Sequence, residues 1–185
     1  MGVAERIRLT YADYRLLPED GRRYEILHGL LEMSPSALAA HQAVVTRLMA
    51  LLLPWILTHR LGRLFTAPMD VILAEDSIVQ PDLLFITEAR APALIKDWIH
   101  GAPDLVAEVL SPGTAARDRG VKKQLYARFG VREYWLVDPE SRTVTILTLK
   151  ARGYHELVSG SGTCQLKSSI LSGFEFTPES VFQDL

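Results

Sequence analysis

Three residues in neighbouring segments have side chains suited to phosphodiester chemistry. Pro81-Asp82 opens a short apolar run, Glu108 stands inside another, and Lys122 lies on the helical segment that follows. Two carboxylates able to hold Mg²⁺, with a lysine to stabilise the attacking water or the developing phosphate charge, are what hydrolysis of such a bond requires. An ionised carboxylate inside an apolar strand is unfavourable unless something compensates it, and a metal ion is one such partner. Each residue also has an ordinary reading. Asp82 suits a turn at a strand start, Glu108 a buried ion pair with an arginine, and Lys122 a surface pair with Asp118 one helical turn earlier.

The elements that must position these groups follow from periodicity and turn residues. Arg22 to Leu27 and Leu30 to Met33 read as a hairpin turning at His28-Gly29, where glycine supplies positive φ. Ser34-Pro35-Ser36 stops it and starts a helix to His59, with Leu38, Val45, Leu48, Leu52 and Ile56 near helical spacing and a kink at Pro54. Arg63 to Thr66 and Asp70 to Leu73 are strand-like, and Ala74 to Gln80 reads as a polar loop. Leu83 to Ile86 and Asp104 to Leu110 are apolar runs of the kind buried on both faces of a sheet. Ala93 to His100 is a brief amphipathic segment. A helix from about Ala115 to Phe129, ended by Gly130, places Asp118, Lys122 and Tyr126 on one face. Lys123 projects roughly 100° away from Lys122 on that helix. Strands at Arg132 to Val137, Arg142 to Leu149, His155 to Val158 and Cys164 to Leu166 complete an α/β or α+β domain with a mixed central sheet and flanking helices.

A chain of 185 residues that is 48% hydrophobic suits one compact domain over residues 1–185. The apolar run from Leu48 to Leu57 is too short to span a bilayer, and residues 1–15 have no signal-peptide core. A lone cysteine, Cys164, fits a reducing compartment, so a cytoplasmic protein with no membrane partner is expected. The formal net charge is −2, yet between Ser111 and Arg132 six basic residues face the single acid Asp118. Of these, Arg117, Arg119, Lys123 and Arg128 are candidates to hold a nucleic-acid backbone, against the alternative of a solvated basic face. No Walker loop, GxGxxG, GxSxG, CxxC or HExxH pattern occurs, which argues against a P-loop NTPase, a dinucleotide-binding enzyme, a serine hydrolase or a zinc site.

The stretch Val79-Gln80-Pro81-Asp82-Leu83, then Ala107-Glu108-Val109-Leu110-Ser111-Pro112, then Asp118, Lys122, Tyr126 and Gly130-Val131-Arg132-Glu133-Tyr134-Trp135-Leu136-Val137-Asp138-Pro139 resembles the Uma-type family of putative restriction endonucleases. This is a branch of the PD-(D/E)XK nuclease superfamily. Tyr24-Glu25-Ile26-Leu27-His28-Gly29 and His41-Gln42 extend the resemblance over nearly the whole chain. It implies a restriction-endonuclease-like core with an N-terminal β-hairpin, in which Asp82 and Glu108 coordinate Mg²⁺, or Mn²⁺, and a lysine completes the site. It also implies Glu25 as an additional acid near the metal, Asp118 and Tyr126 in support, DNA as substrate and a homodimer. The superfamily lysine belongs two residues after the glutamate, where this chain has Leu110; the resemblance maps its role onto Lys122. A nuclease-fold module that binds nucleic acid or a protein partner without turnover is the other expectation.

Overall fold

The computed structural model describes residues 7–34 and 37–183. A short helix α1 (Tyr11–Tyr14) precedes the hairpin β1 (Arg23–Leu27) and β2 (Leu30–Ser34). His28 and Gly29 both take positive φ, 52° and 79°, the backbone of a tight two-residue turn that matches the twist of the strands. The long helix α2 (Ala39–Thr58) follows; the helix-start signal at Pro35-Ser36 lies outside the described residues. The chain then forms β3 (Gly62–Thr66), β4 (Val71–Ala74), β5 (Ser77–Val79), β6 (Leu83–Thr87), α3 (Ala91–Leu94), β7 (Ile99–His100) and β8 (Leu105–Val109). Next come α4 (Ala115–Arg117), a π-helical turn (Asp118–Lys122) and α5 (Lys123–Phe129), which Gly130 ends in the left-handed conformation at φ 87°. The remaining elements are β9 (Glu133–Asp138), β10 (Thr143–Lys150), β11 (Gly153–Ser161), β12 (Leu166–Lys167), β13 (Glu175–Phe176) and α6 (Pro178–Phe182).

The central sheet has the order β11-β10-β9-β8-β6-β3 and is mixed: β8 and β9 run parallel, and the other neighbours are antiparallel. The parallel pair requires a crossover, and the helical stretch from α4 to α5 supplies it. A second sheet, β2-β1-β5-β4-β7, carries the hairpin. This is a mixed α+β fold with helices flanking the sheet.

Alternation along the middle strands feeds two cores. Leu83, Phe85, Leu105, Ala107, Val109, Trp135 and Val137 pack with Val44, Val45, Leu48, Leu52 and Ile56 of α2. Leu84, Ile86, Val106, Leu110, Tyr134 and Leu136 pack on the opposite side, with Leu125 and Tyr126 of α5 and Leu27, Val71 and Val79 of the second sheet. Burial on both faces explains why these strands read as continuous apolar runs. By length and composition α2 is long and apolar enough to cross a membrane, but its buried stripe covers one face of the central sheet.

Four segments depart from expectation: the helix from about Ala115 to Phe129 contains the π turn, the strand expected at Cys164 to Leu166 begins only at Leu166, and two others lie nearer the second sheet. The polar loop from Ala74 to Gln80 contains β5, whose Ser77, Ile78 and Val79 are all buried, with Ile78 paired to Ile26 of β1. The segment from Ala93 to His100 divides into α3 and the two-residue strand β7, because β7 adds to β4 as a parallel edge.

Asp104, at the start of β8, is fully buried and accepts from Thr87 N (2.7 Å), Thr87 Oγ1 (2.9 Å), Arg90 Nη1 (2.6 Å) and Arg132 Nη2 (2.5 Å). Burial alone would raise its carboxyl, but these donors hold it below the ordinary aspartate value. A depressed folded value means the stabilisation is present above the unfolded aspartate range and disappears as pH falls through the folded value. Asp104→Ala is expected to lower stability by about 2–3 kcal/mol at neutral pH, with the gap to the parent narrowing below about pH 4. Thermal unfolding at pH 7 and pH 3 checks both statements.

Candidate active site

Asp82 stands where the chain leaves the second sheet for the central one. β5 ends at Val79, β6 begins at Leu83, and Gln80-Pro81-Asp82 is the crossing. Proline has no N–H to give to a ladder and fixes its own φ, which suits a residue between two sheets. Glu108 lies on the neighbouring strand, one position beyond the Leu83–Ala107 pair. The backbone ties the two acids together: Asp82 N donates to Glu108 Oε2 (3.3 Å), and Val109 N donates to Asp82 Oδ2 (2.8 Å). Glu25 comes from β1 of the other sheet and is fixed by Gln80 N (2.8 Å), so the crossing also positions the third acid.

Lys122 reaches this cluster from the π turn. Turns of this kind inside α-helices are uncommon and concentrate at functional sites. The hydroxyl of Tyr134 donates to the Asp118 carbonyl within it (3.0 Å). Lys122 is 1% exposed, and its Nζ lies 2.6 Å from Glu108 Oε1, 3.0 Å from Glu25 Oε1 and 3.8 Å from Asp118 Oδ1. The surface pair with Asp118 is therefore the wrong picture of this lysine: it sits inside the molecule among three carboxylates. The hydroxyl of Tyr126, one turn further on, donates to Glu108 Oε1 (2.7 Å).

The electrostatics follow from burial and pairing. Burial pushes the Glu108 carboxyl up to about 8; Lys122 works against this, and Asp82 and Asp118 add to it. Burial alone would discharge Lys122, but Glu108, Glu25 and Asp118 hold its ammonium above the ordinary lysine value. Glu25 goes the other way, because Lys122, Arg23 and the Gln80 N–H outweigh its burial. Asp82 is also held below the ordinary range, by its bond to His41 and the charge of Arg23, against burial.

Arg23 and His41 clamp Asp82. Arg23 Nη1 donates to Asp82 Oδ1 (2.8 Å), and His41 Nε2 lies 3.0 Å from Asp82 Oδ2. Neither appeared among the expected site residues. For Arg23 a signal exists, since it is two residues before Glu25 on a strand and so shares its face. Of the basic candidates only Arg117 joins the site. It turns inward to Ser34 Oγ (2.5 Å) and Glu32 Oε2 (3.4 Å), with Glu25 Oε2 at 3.7 Å. Arg119 pairs with Asp138 (2.8 Å) beside the adjoining cavity, Arg128 stacks over Phe129, and Lys123 is half-buried on α5.

Arg23, Glu25, His41, Asp82, Glu108, Arg117, Asp118 and Lys122 line one cavity of about 250 Å³. Its oxygen donors suit a hard divalent cation. Glu25 Oε2 is buried without a hydrogen-bond donor, which leaves acceptor capacity in the cluster. Among the described residues no three His, Cys, Asp or Glu side chains converge as a ready-made cage. Mg²⁺ does not need one, because it usually takes one or two carboxylates and keeps its waters or binds substrate phosphates. Asp82 and Glu108 fit that role.

Residues 11–179 match the profile of the Uma2 family, described as "Putative restriction endonuclease". The fold is similar to the crystal structure of a putative nuclease belonging to DUF820 from Anabaena variabilis ATCC 29413, with a TM-score of 0.79 and 19% identity over 94% of this chain and 97% of that one. No curated protein matches the chain.

Proposed function

Because the chain belongs to the Uma2 family of putative restriction endonucleases, we propose that it is a Mg²⁺-dependent endonuclease that hydrolyses phosphodiester bonds in DNA. The observation that carries this reading is the pair Asp82, at the entry to β6, and Glu108 on β8, tied by the bonds Asp82 N to Glu108 Oε2 and Val109 N to Asp82 Oδ2 and facing one cavity with Lys122 at 2.6 Å from Glu108. A divalent cation bound there would polarise the scissile phosphate and lower the pKa of a bound water. Asp82 is oriented by the Val109 N–H and His41, and the charge of Arg23 helps to keep it ionised while no cation is bound. Glu108 is aimed by Tyr126 and Lys122, and Lys122 supplies positive charge beside the reacting centre. Glu108, Glu25 and Asp118 keep that ammonium charged in a place where burial would otherwise strip its proton.

Plasmid DNA incubated with the purified protein and Mg²⁺, Mn²⁺ or EDTA tests the proposal. Cleavage is expected with either metal, none in EDTA, and recovery when excess Mg²⁺ is added back. A second reading, a nuclease-fold module that binds nucleic acid without cutting it, draws on the fact that Asp82, Glu108 and Glu25 all have cationic partners within the chain. No cleavage with either metal, together with DNA binding that weakens as salt rises, would favour it.

A further inference from the structure

Arg23 stands where the carboxylate cavity meets a larger groove of about 1030 Å³ that includes Ser34, Gln42, Pro68 and Gln80, and it lines both. One arm of its guanidinium, Nη1, donates to Asp82 Oδ1 at 2.8 Å. Its Nε–H is buried and has no acceptor. A buried donor without a partner is uncommon in a folded protein and calls for an explanation. Lys122 is differently placed, enclosed by Glu108, Glu25 and Asp118. Arg117, whose Nε also lacks an acceptor, commits its two Nη atoms to Ser34 and Glu32. Arg23 therefore combines three properties: an outward position, spare donor capacity, and a bond to the oxygen a cation would need.

We propose that Arg23 grips the scissile phosphate, and that its bond to Asp82 keeps the place a divalent cation takes. With Asp82 engaged by a cation, the guanidinium would be free to turn its fork from that carboxylate to non-bridging phosphate oxygens. The inference rests on the nuclease reading above. A guanidinium is permanently charged and its planar fork matches phosphate as well as carboxylate, so the same group serves both acceptors without a proton moving. Two consequences separate this role from a structural one. The cation and Arg23 compete for Asp82, so removing the arginine tightens metal binding while it impairs turnover. A purely structural arginine gives the opposite for the metal, because losing it loosens the carboxylates.

The test combines calorimetric titration with Mn²⁺ alone and steady-state cleavage of a DNA oligonucleotide, for the parent chain, Arg23→Ala and Arg23→Lys. Arg23→Ala is expected to bind Mn²⁺ about tenfold tighter, because a competing positive charge is gone, and to lose about 10²–10³-fold in kcat. Arg23→Lys keeps the charge but not the fork, so it should bind Mn²⁺ as the parent does and recover only part of the turnover. Unchanged or weaker Mn²⁺ binding by a folded Arg23→Ala overturns the proposal, as does parental turnover by Arg23→Lys. The lysine variant also carries the test alone if the alanine variant does not fold. Parental protein that neither binds Mn²⁺ nor cuts removes the nuclease reading and this inference together. Parental cleavage matched by Arg23→Ala removes only the inference.

Discussion

Asp82→Asn is expected to reduce metal-dependent cleavage by at least about 10³-fold, corresponding to roughly 4 kcal/mol of lost transition-state stabilisation. The substitution keeps the shape but sets its amide N–H₂ against either Arg23 or the Val109 N–H, so it also costs about 1–3 kcal/mol of stability. Asparagine is nearly isosteric and keeps an oxygen that can accept from Arg23 or Val109 N, the donors that now hold Asp82 at 2.8 Å. What disappears is the negative charge that would attract the cation. Thermal unfolding should therefore show a folded protein, with Mn²⁺ no longer raising its midpoint as it does for the parent. A variant that keeps more than about a tenth of parental cleavage in the same assay would place the metal elsewhere.

Lys122→Met is expected to have the largest effect on stability, about 3–5 kcal/mol, or roughly 6–20 °C in the unfolding midpoint of a chain this size. Methionine fills similar space, so the loss is electrostatic. Glu25, Glu108 and Asp118 are each no more than 3% exposed and lose the one cation they share. The pH dependence has a definite sign. Glu108 titrates near 8 in the folded chain against an ordinary 4.5, so between these values the folded state holds a proton that the unfolded state has released. Stability from this group is full below the ordinary value and lost as pH rises through the folded one. Removing Lys122 takes away the charge opposing that rise. The gap between parent and variant should be wider at pH 8.5 than at pH 5.5, and Glu108→Gln in the variant background should restore part of it. Equal gaps at the two pH values would mean that Lys122 does not oppose the upward shift of Glu108.

The parts of this architecture legible in the sequence are those encoded by local pattern. Leu83 to Ile86 and Asp104 to Leu110 read as double-faced strands because both faces are buried, and His28-Gly29 read as a hairpin turn because only certain residues tolerate that backbone. Asp82, Glu108 and Lys122 stood out through residue type and order, and the fold brings them into one cavity. What escaped depends on partners distant in the chain. β5 is three residues long and owes its strand character to pairing with Ile26 and β4. The π turn has no local marker beyond Gly120, and it is held from outside by Tyr134. In the sequence Glu133 is only part of the stretch that carries the resemblance, with no role of its own. It is instead fully buried and accepts from Trp135 Nε1 (2.7 Å), Ser168 Oγ (2.7 Å) and Ser169 N (2.7 Å), tying the C-terminal segment to β9.

The bond from Lys122 to Glu25 joins residues 97 positions apart. The other members of the cluster come from a sheet crossing, a strand and a helix lying between them in sequence. No hairpin or βαβ unit that forms early on its own contains a working set of groups, since contacts so far apart close only after the loop entropy between them has been overcome. A copy in which these long-range contacts have not closed would hold scattered acids and a solvated lysine. For the endonuclease proposed above, completion of the fold would be the safety catch.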